Sequence, residues 1–226
     1  MARASGKPAV VIAIDGPSAA GKGTLARKLA HHLGFALLDT GLLYRAVAKR
    51  LLDAGTGAED AARAAAEAAK VTVAELADPA LRSEAVGEGA SRVAAIPAMR
   101  AALLALQRQF ARNPLDSRGN PMPGAVLDGR DIGTVICPDA TVKLFITASV
   151  EARATRRHRE LLDRGVASIY ARVLQDMERR DARDSGRAVA PTKPAPDAFV
   201  IDTTTLDADG AFAAALAVIR ERIGRD

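Results

Sequence analysis

The stretch at residues 10–25, VVIAIDGPSAAGKGTL, restricts this chain more than any other part of it. Val10, Val11, Ile12 and Ile14 form a short, mostly β-branched apolar run, the pattern of a strand covered on both faces. Gly16, Gly21 and Gly23 then punctuate a loop that also holds Pro17, Ser18, Ala19 and Ala20. From Lys22 onward the apolar spacing changes, and Leu25, Ala26, Leu29, Ala30 and Leu33 fall on one helical face. A buried strand that turns through glycines into an amphipathic helix points to an α/β chain.

The loop has a direct chemical use. Glycines let consecutive backbone N–H groups turn inward, and the helix behind them adds the positive end of its dipole, so a polyphosphate can be cradled there. Lys22 follows Gly21 at the spacing that reaches the β- and γ-phosphates. The general motif places Ser or Thr directly after the lysine. Here Gly23 intervenes and Thr24 carries the hydroxyl, a variant that resembles the loop of nucleoside monophosphate kinases. A turn that needed glycine for packing alone would leave the agreement of strand, spacing, lysine and helix unexplained.

A chain of 226 residues, 49% hydrophobic, can bury one substantial core with insertions. Aromatic residues are only 3% and Trp is absent, so Ala, Leu and Val must fill that core. The same scarcity counts against a single-strand nucleic-acid binder, which needs stacking platforms. The net charge of +5 suits a phosphate-rich ligand. Cys137 is the one cysteine and reads as a small core residue, as in a reducing cytosol. No His/Cys cluster has zinc-ligand spacing, no apolar run approaches a membrane span, and the N-terminus lacks a signal-peptide core. A soluble, cytoplasmic protein is expected.

Gly34 is read as a helix stop, followed by a second strand at residues 35–38. Asp39, Thr40 and Gly41 follow at the strand's carboxyl end, where ligands bind in open α/β sheets. Leu43, Val47, Leu51 and Leu52 mark a helix that starts near Gly41 and ends before Gly55. Its first turns carry Tyr44 and Arg45, and on position alone Arg45 is equally an ordinary solvated residue. Residues 59–70 form an Ala-rich helix, and residues 71–76 a short strand or a loop. Residues 82–93 and 97–110 read as helices. Residues 113–123, with three prolines, two asparagines and a glycine, are a loop.

A third strand at residues 124–127 leads into Asp128-Gly129-Arg130-Asp131. Two carboxylates and an arginine at a strand end make a site for Mg²⁺ or phosphate, although Asp-Gly also builds plain turns. Strands at residues 142–146 and 199–201 and an amphipathic helix at residues 206–223 complete the series. Five short strands separated by helices argue for a parallel sheet with helices on both faces.

Residues 151–187 hold ten arginines, no lysine and seven acids. Arg binds phosphate and carboxylate bidentately and stays charged when partly buried, whereas lysine would serve for solubility alone. A salt-bridged exposed helix is the alternative that the seven acids would suit. Arg180, Asp184 and Arg187, spaced by four and three, would share one helical face, with Ser185-Gly186 as a break and hinge. The combination implies phosphoryl transfer, in which positioning and neutralisation of spread-out charge do most of the catalysis. A mobile arginine lid would also expel water.

In this order and spacing, GPSAAGKGT, LLDTGLLYR, VLDGRDIGTVICPDA and RRDARDSGRAVAP closely resemble bacterial cytidylate kinases. The resemblance covers nearly the whole chain. It implies a P-loop NTPase-type fold and ATP-dependent phosphorylation of CMP and dCMP with Mg²⁺. Residues 1–38, 124–150 and 188–226 would form the core, 39–123 a monophosphate-binding insertion and 151–187 the lid. Gly16, Pro17, Ser18, Ala19, Ala20, Gly21, Lys22, Gly23 and Thr24 would hold the ATP phosphates, with Arg153 and Arg157 as lid arginines. Lys22, Arg130 and Arg187 would be catalytic. Arg45 and Arg130 would grip the CMP phosphate with Thr40 nearby. Ser91, Arg108 and Asp131 would read the cytosine edge, and Arg180 and Asp184 would hold the pentose. Thr24 would meet Mg²⁺ directly, or Asp128 through water. Partners would be nucleotides alone, with no nucleic acid or membrane, and the chain would act as a monomer.

Many members carry a longer insert with a β-hairpin, for which residues 71–90 leave little room. The loop at 113–123 looks longer than usual. Three other classes stay open on the residues themselves. One is a kinase for UMP, AMP or shikimate; another is a nucleotide-dependent switch, although no Asn-Lys-x-Asp motif is present. The third is a nucleic-acid binder built on the arginine-rich segment.

Overall fold

The structure is a computed structural model that describes residues 9–57 and 60–224. Five strands form one fully parallel sheet: β1 (Val10–Asp15), β2 (Ala36–Asp39), β3 (Gly124–Asp128), β4 (Val142–Thr147) and β5 (Phe199–Asp202). Their order across the sheet is β2-β3-β1-β4-β5, which places β1 in the middle, paired with β3 and β4. The strand expectations hold to within a residue or two at each end.

Helices cover both faces. On one, α1 (Lys22–Leu33) and α8 (Ala208–Ile223) pack on Ile12, Ile14, Val126 and Leu144, with Leu25, Leu29 and Ile219 wholly or almost wholly buried. On the other lie α2 (Thr40–Asp53), α3 (Ala61–Ala68), α4 (Glu84–Val93) and α5 (Pro97–Arg112). These four share a single apolar cluster with Ala13, Leu38, Ala125 and Leu127 of the sheet. The insertion therefore rests on the sheet instead of building a core of its own. Alanine fills much of both clusters, as the scarcity of aromatics requires.

Two helices, α6 (Val150–Asp163) and α7 (Tyr170–Ser185), form a hairpin over the carboxyl end of the sheet. They share only a small cluster of Ala154, Leu161, Val173 and Met177. This hairpin is the arginine-rich segment, and α7 stops at the expected Ser185-Gly186 break.

Residues 71–76 form neither strand nor open loop. Val73–Ala77 and Pro79–Arg82 are two 3₁₀ turns, the first closed by a capping box between Thr72 and Glu75. Leu81 anchors them by full burial. Glu59, the expected start of the Ala-rich helix, lies outside the described residues; α3 itself begins after Asp60, whose carboxylate accepts from Arg63 N.

Candidate active site

The carboxyl ends of β1, β2 and β3 open into a cleft of about 990 Å³, roofed by α6 and α7. Twelve arginines and Lys22 line it against eight carboxylates, so it suits a polyanion.

One wall of the cleft follows from one turn of chain. Gly16 has φ of +140°, and a Cβ there would sit 1.9 Å from the Ile146 carbonyl oxygen, so only glycine passes this point beside β4. Gly21 caps α1 and Lys22 is its first residue. Lys22 is 5% exposed, and its ammonium donates to the Pro17 carbonyl at 2.6 Å. Burial, then the Arg130 guanidinium, pushes the Lys22 pKa down, while Asp128, Asp39 and Asp15 oppose that shift. Burial likewise pushes the Asp128 carboxyl up, against the pull of Lys22. Both groups are short of charge compensation, which an anionic phosphate with a divalent cation supplies.

Ser18, Ala19, Gly21, Lys22, Gly23 and Thr24 face the cleft. Asp39 and Asp128 stand in register at the ends of adjacent strands and face it with Thr24. These hard oxygens fit Mg²⁺. Among the described residues no three acidic, His or Cys side chains converge to hold a metal unaided.

The opposite wall is assembled from distant segments. Thr40 donates to the Asp128 carbonyl at 2.8 Å. Gly129 is held so close that a Cβ would lie 2.7 Å from Thr40 Oγ1 and from Ile132 Cδ1. Arg45 enters from α2 and donates to the carbonyls of Leu81, at 2.7 Å, and Ser83. Burial first, and then Arg157, lowers its pKa. Helices α4 and α5 meet at a bend of 101°, which brings Ser91 near the end of α4 and Arg100 in the first turns of α5 to the same cleft. Arg100 donates to the Asp131 carboxylate at 2.5 Å, with both side chains less than a tenth exposed.

The roof adds charge. Arg183 donates to Ser91 Oγ at 2.7 Å and pairs with Glu88, and Arg157 pairs with Glu84. Asp184 accepts from Arg130 at 3.3 Å and from Arg187 at 2.5 Å. Arg180 and Arg187 each keep a buried Nε with no partner among the described residues, and both side chains line the cleft. Burial, with Arg130 next, lowers the Arg180 pKa to about 10. An anion or a ligand hydroxyl would satisfy these donors.

Of the residues expected at the site, Gly16, Pro17 and Ala20 of the loop do not line the cleft, and two expected arginines also lie elsewhere. Arg108 is outside the cleft; its guanidinium donates to the carbonyls of Ile136 at 3.1 Å and Val135 at 3.0 Å. Eight residues along a helix carry it about 12 Å beyond Arg100 and turn it by about 80°. Arg100 stands where Arg108 was expected. Arg153 is absent from the cleft wall because it binds inward, to the carbonyls of Ala148 and Ser18 and the carboxylate of Asp181. It braces the phosphate loop from behind. Arg187 lies past the end of α7, and a bend of the chain, not a continuing helix, brings it to Asp184.

A family model described as cytidylate kinase matches residues 12–221. The chain belongs to the cytidylate kinase family. It is 57% identical over 209 residues to a cytidylate kinase of Paramagnetospirillum magneticum, covering 92% of this chain and 97% of that one. The cytidylate kinase of Methylocella silvestris is 56% identical over 210 residues, 93% of this chain and 94% of its own. That of Afipia carboxidovorans is 53% identical over 212 residues, covering 94% and 98%. Family membership accounts for a glycine loop, an acidic pair and an arginine roof in one cleft.

Proposed function

We propose that this chain transfers the terminal phosphoryl group of ATP to CMP and dCMP. The wall of the glycine loop holds the donor and the opposite wall the acceptor, where the buried Arg100–Asp131 pair carries the choice of base. Cytosine offers an amino donor beside two acceptors, N3 and O2. Asp131 accepts from the amino group and Arg100 donates to the ring acceptors. Uracil would set a carbonyl against the carboxylate and leave a buried group unpaired, a cost of about 1–3 kcal/mol.

Lys22 and the backbone of residues 16–24 hold the donor phosphates. Arg130 and Arg45 hold the acceptor phosphate, Arg180 and Asp184 the sugar, and Ser91 the base edge. Arg157 and Arg187 close from the roof, with residues 151–187 acting as the lid and 39–123 as the acceptor-binding part. When bound through Thr24, Asp128 and water, Mg²⁺ would neutralise charge on the donor phosphates. Closure of the roof keeps water from competing with the acceptor. Among the described residues no single helix is long and apolar enough to cross a membrane. We read the enzyme as a monomer acting on free nucleotides in the cytoplasm.

The test is ATP consumption with Mg²⁺ against CMP, dCMP, UMP, AMP, GMP and dTMP. Turnover confined to CMP and dCMP supports the reading. Preference for another monophosphate removes the base assignment, and no turnover with any acceptor removes the kinase.

A further inference from the structure

Asp15 closes β1, one residue before the phosphate loop, and no step above uses it. It is 4% exposed, and its two oxygens are fully engaged: Oδ1 accepts from Ile132 N at 2.7 Å and Oδ2 from Gly133 N at 2.7 Å. Those amides open the turn at Ile132–Ile136, directly after Asp131. One residue upstream in β1, the Ile14 carbonyl accepts from Gly129 N at 2.9 Å. The segment carrying Arg130 and Asp131 is thus pinned at both ends by the last two residues of β1. A Cβ on Gly133 would lie 3.4 Å from Asp15 Oδ2 and 3.1 Å from Lys143 Cδ, so the fit leaves little slack.

We infer that Asp15 is a positioning residue that sets the base-reading and phosphate-gripping segment, Arg130 and Asp131, in register with the phosphate loop. This rests on the CMP kinase reading. The physical reason is rigidity. Arg130 and Asp131 lie between β3 and the Ile132–Ile136 turn, outside the strand ladder, and the Asp131 carbonyl is tied only to that turn, through Val135 N and Ile136 N. Two charge-assisted bonds to one carboxylate fix that turn. The carboxylate belongs to the residue whose neighbour, Gly16, is locked against Ile146. Donor and acceptor sites thereby share a common anchor, and near-attack geometry is sensitive to small displacements between them.

Asp15→Asn tests this, because it keeps the shape but turns an amide donor toward one of the two backbone N–H groups. The expected result is a KM for CMP raised by about tenfold or more and a smaller CMP-over-UMP ratio of kcat/KM, with the KM for ATP nearly unchanged. A structural role alone would lower kcat for every acceptor alike and leave that ratio intact; this outcome overturns the inference. Should the variant fail to fold, amide hydrogen exchange of the wild-type protein decides the matter. Ile132 and Gly133 are expected to exchange slowly without any ligand, and free exchange at both overturns the inference. If the wild-type chain does not turn over CMP, the kinase reading fails, while the exchange measurement still decides the anchoring.

Discussion

The two walls of the cleft solve the same problem by different means. The wall proposed for the donor is built from backbone: one loop of consecutive residues, closed by the start of α1, with the Lys22 side chain lying in it. The acceptor wall is built from side chains: Arg45 from α2, Ser91 from α4, Arg100 from α5, Arg130 and Asp131 after β3, and Arg180 and Asp184 from α7. A backbone cradle recognises phosphate, which every nucleoside triphosphate shares, and needs no choice among bases. A base edge must be told from its near relatives, and that takes donors and acceptors fixed from several directions. Generality comes from contiguous chain; selectivity comes from convergence.

The contrast makes the two walls separable by mutation. Lys22→Ala should have the largest effect, lowering kcat by about 10²–10³-fold or more, because a preorganised positive charge on the moving phosphoryl group is lost. Calorimetric titration should show CMP still bound with little change. Loss of CMP binding in this variant would mean that the walls are not independent.

The next effect sharpens the acceptor side. Asp131→Asn should reduce kcat/KM for CMP by about 10²-fold and reduce that for UMP much less. Arg108→Ala is its counterpart. It should change neither value appreciably and should cost only about 1–2 kcal/mol of stability, for two bonds to backbone carbonyls. Denaturant unfolding and acceptor kinetics on the two variants separate the roles. If Arg108→Ala matched Asp131→Asn in selectivity, the assignment to Arg100 would be wrong.

The last test concerns the joint between the walls. The Asp15 carboxyl is raised from 3.8 to about 6, by burial above all. The Ile132 and Gly133 amides and Lys22 oppose the shift, and Asp131 adds to it. A raised carboxyl binds protons more tightly in the folded chain, so its contribution to stability is complete below pH 3.8 and lost as pH rises through about 6. The stability gap between wild type and Asp15→Asn should therefore shrink by up to about 2–3 kcal/mol between pH 4 and 7. Urea unfolding across that range measures it. A gap that widens with pH would show that the two N–H bonds outweigh burial.

Much of the fold was legible because its signals are local. The apolar run at Val10–Asp15, the change to helical spacing at Lys22 and the stop at Gly34 all appear within a few residues of the structure they make. The paired 3₁₀ turns were not legible, since Val71 and Leu76 look alike in a strand or a turn and only the burial of Leu81 settles the matter. Arg153 and Arg157 illustrate the same limit within one helix. Both are arginines of α6, yet one turns inward to Ser18 and Asp181 while the other faces the cleft.

By itself the sequence determined the parallel α/β sheet, the phosphate loop, the family and the arginine character of the roof. Each of these depends on residues that act through their own neighbours in the chain. Only the tertiary structure decided which arginine meets Asp131, that Arg153 is a brace and that Asp15 ties the two walls together. Those choices depend on where α4 and α5 bend, on which amides a buried carboxylate can reach, and on distances between residues as far apart as Asp15 and Gly133. Spacing along a chain fixes direction within one helix or strand, whereas a site drawn from several of them is fixed by how they pack.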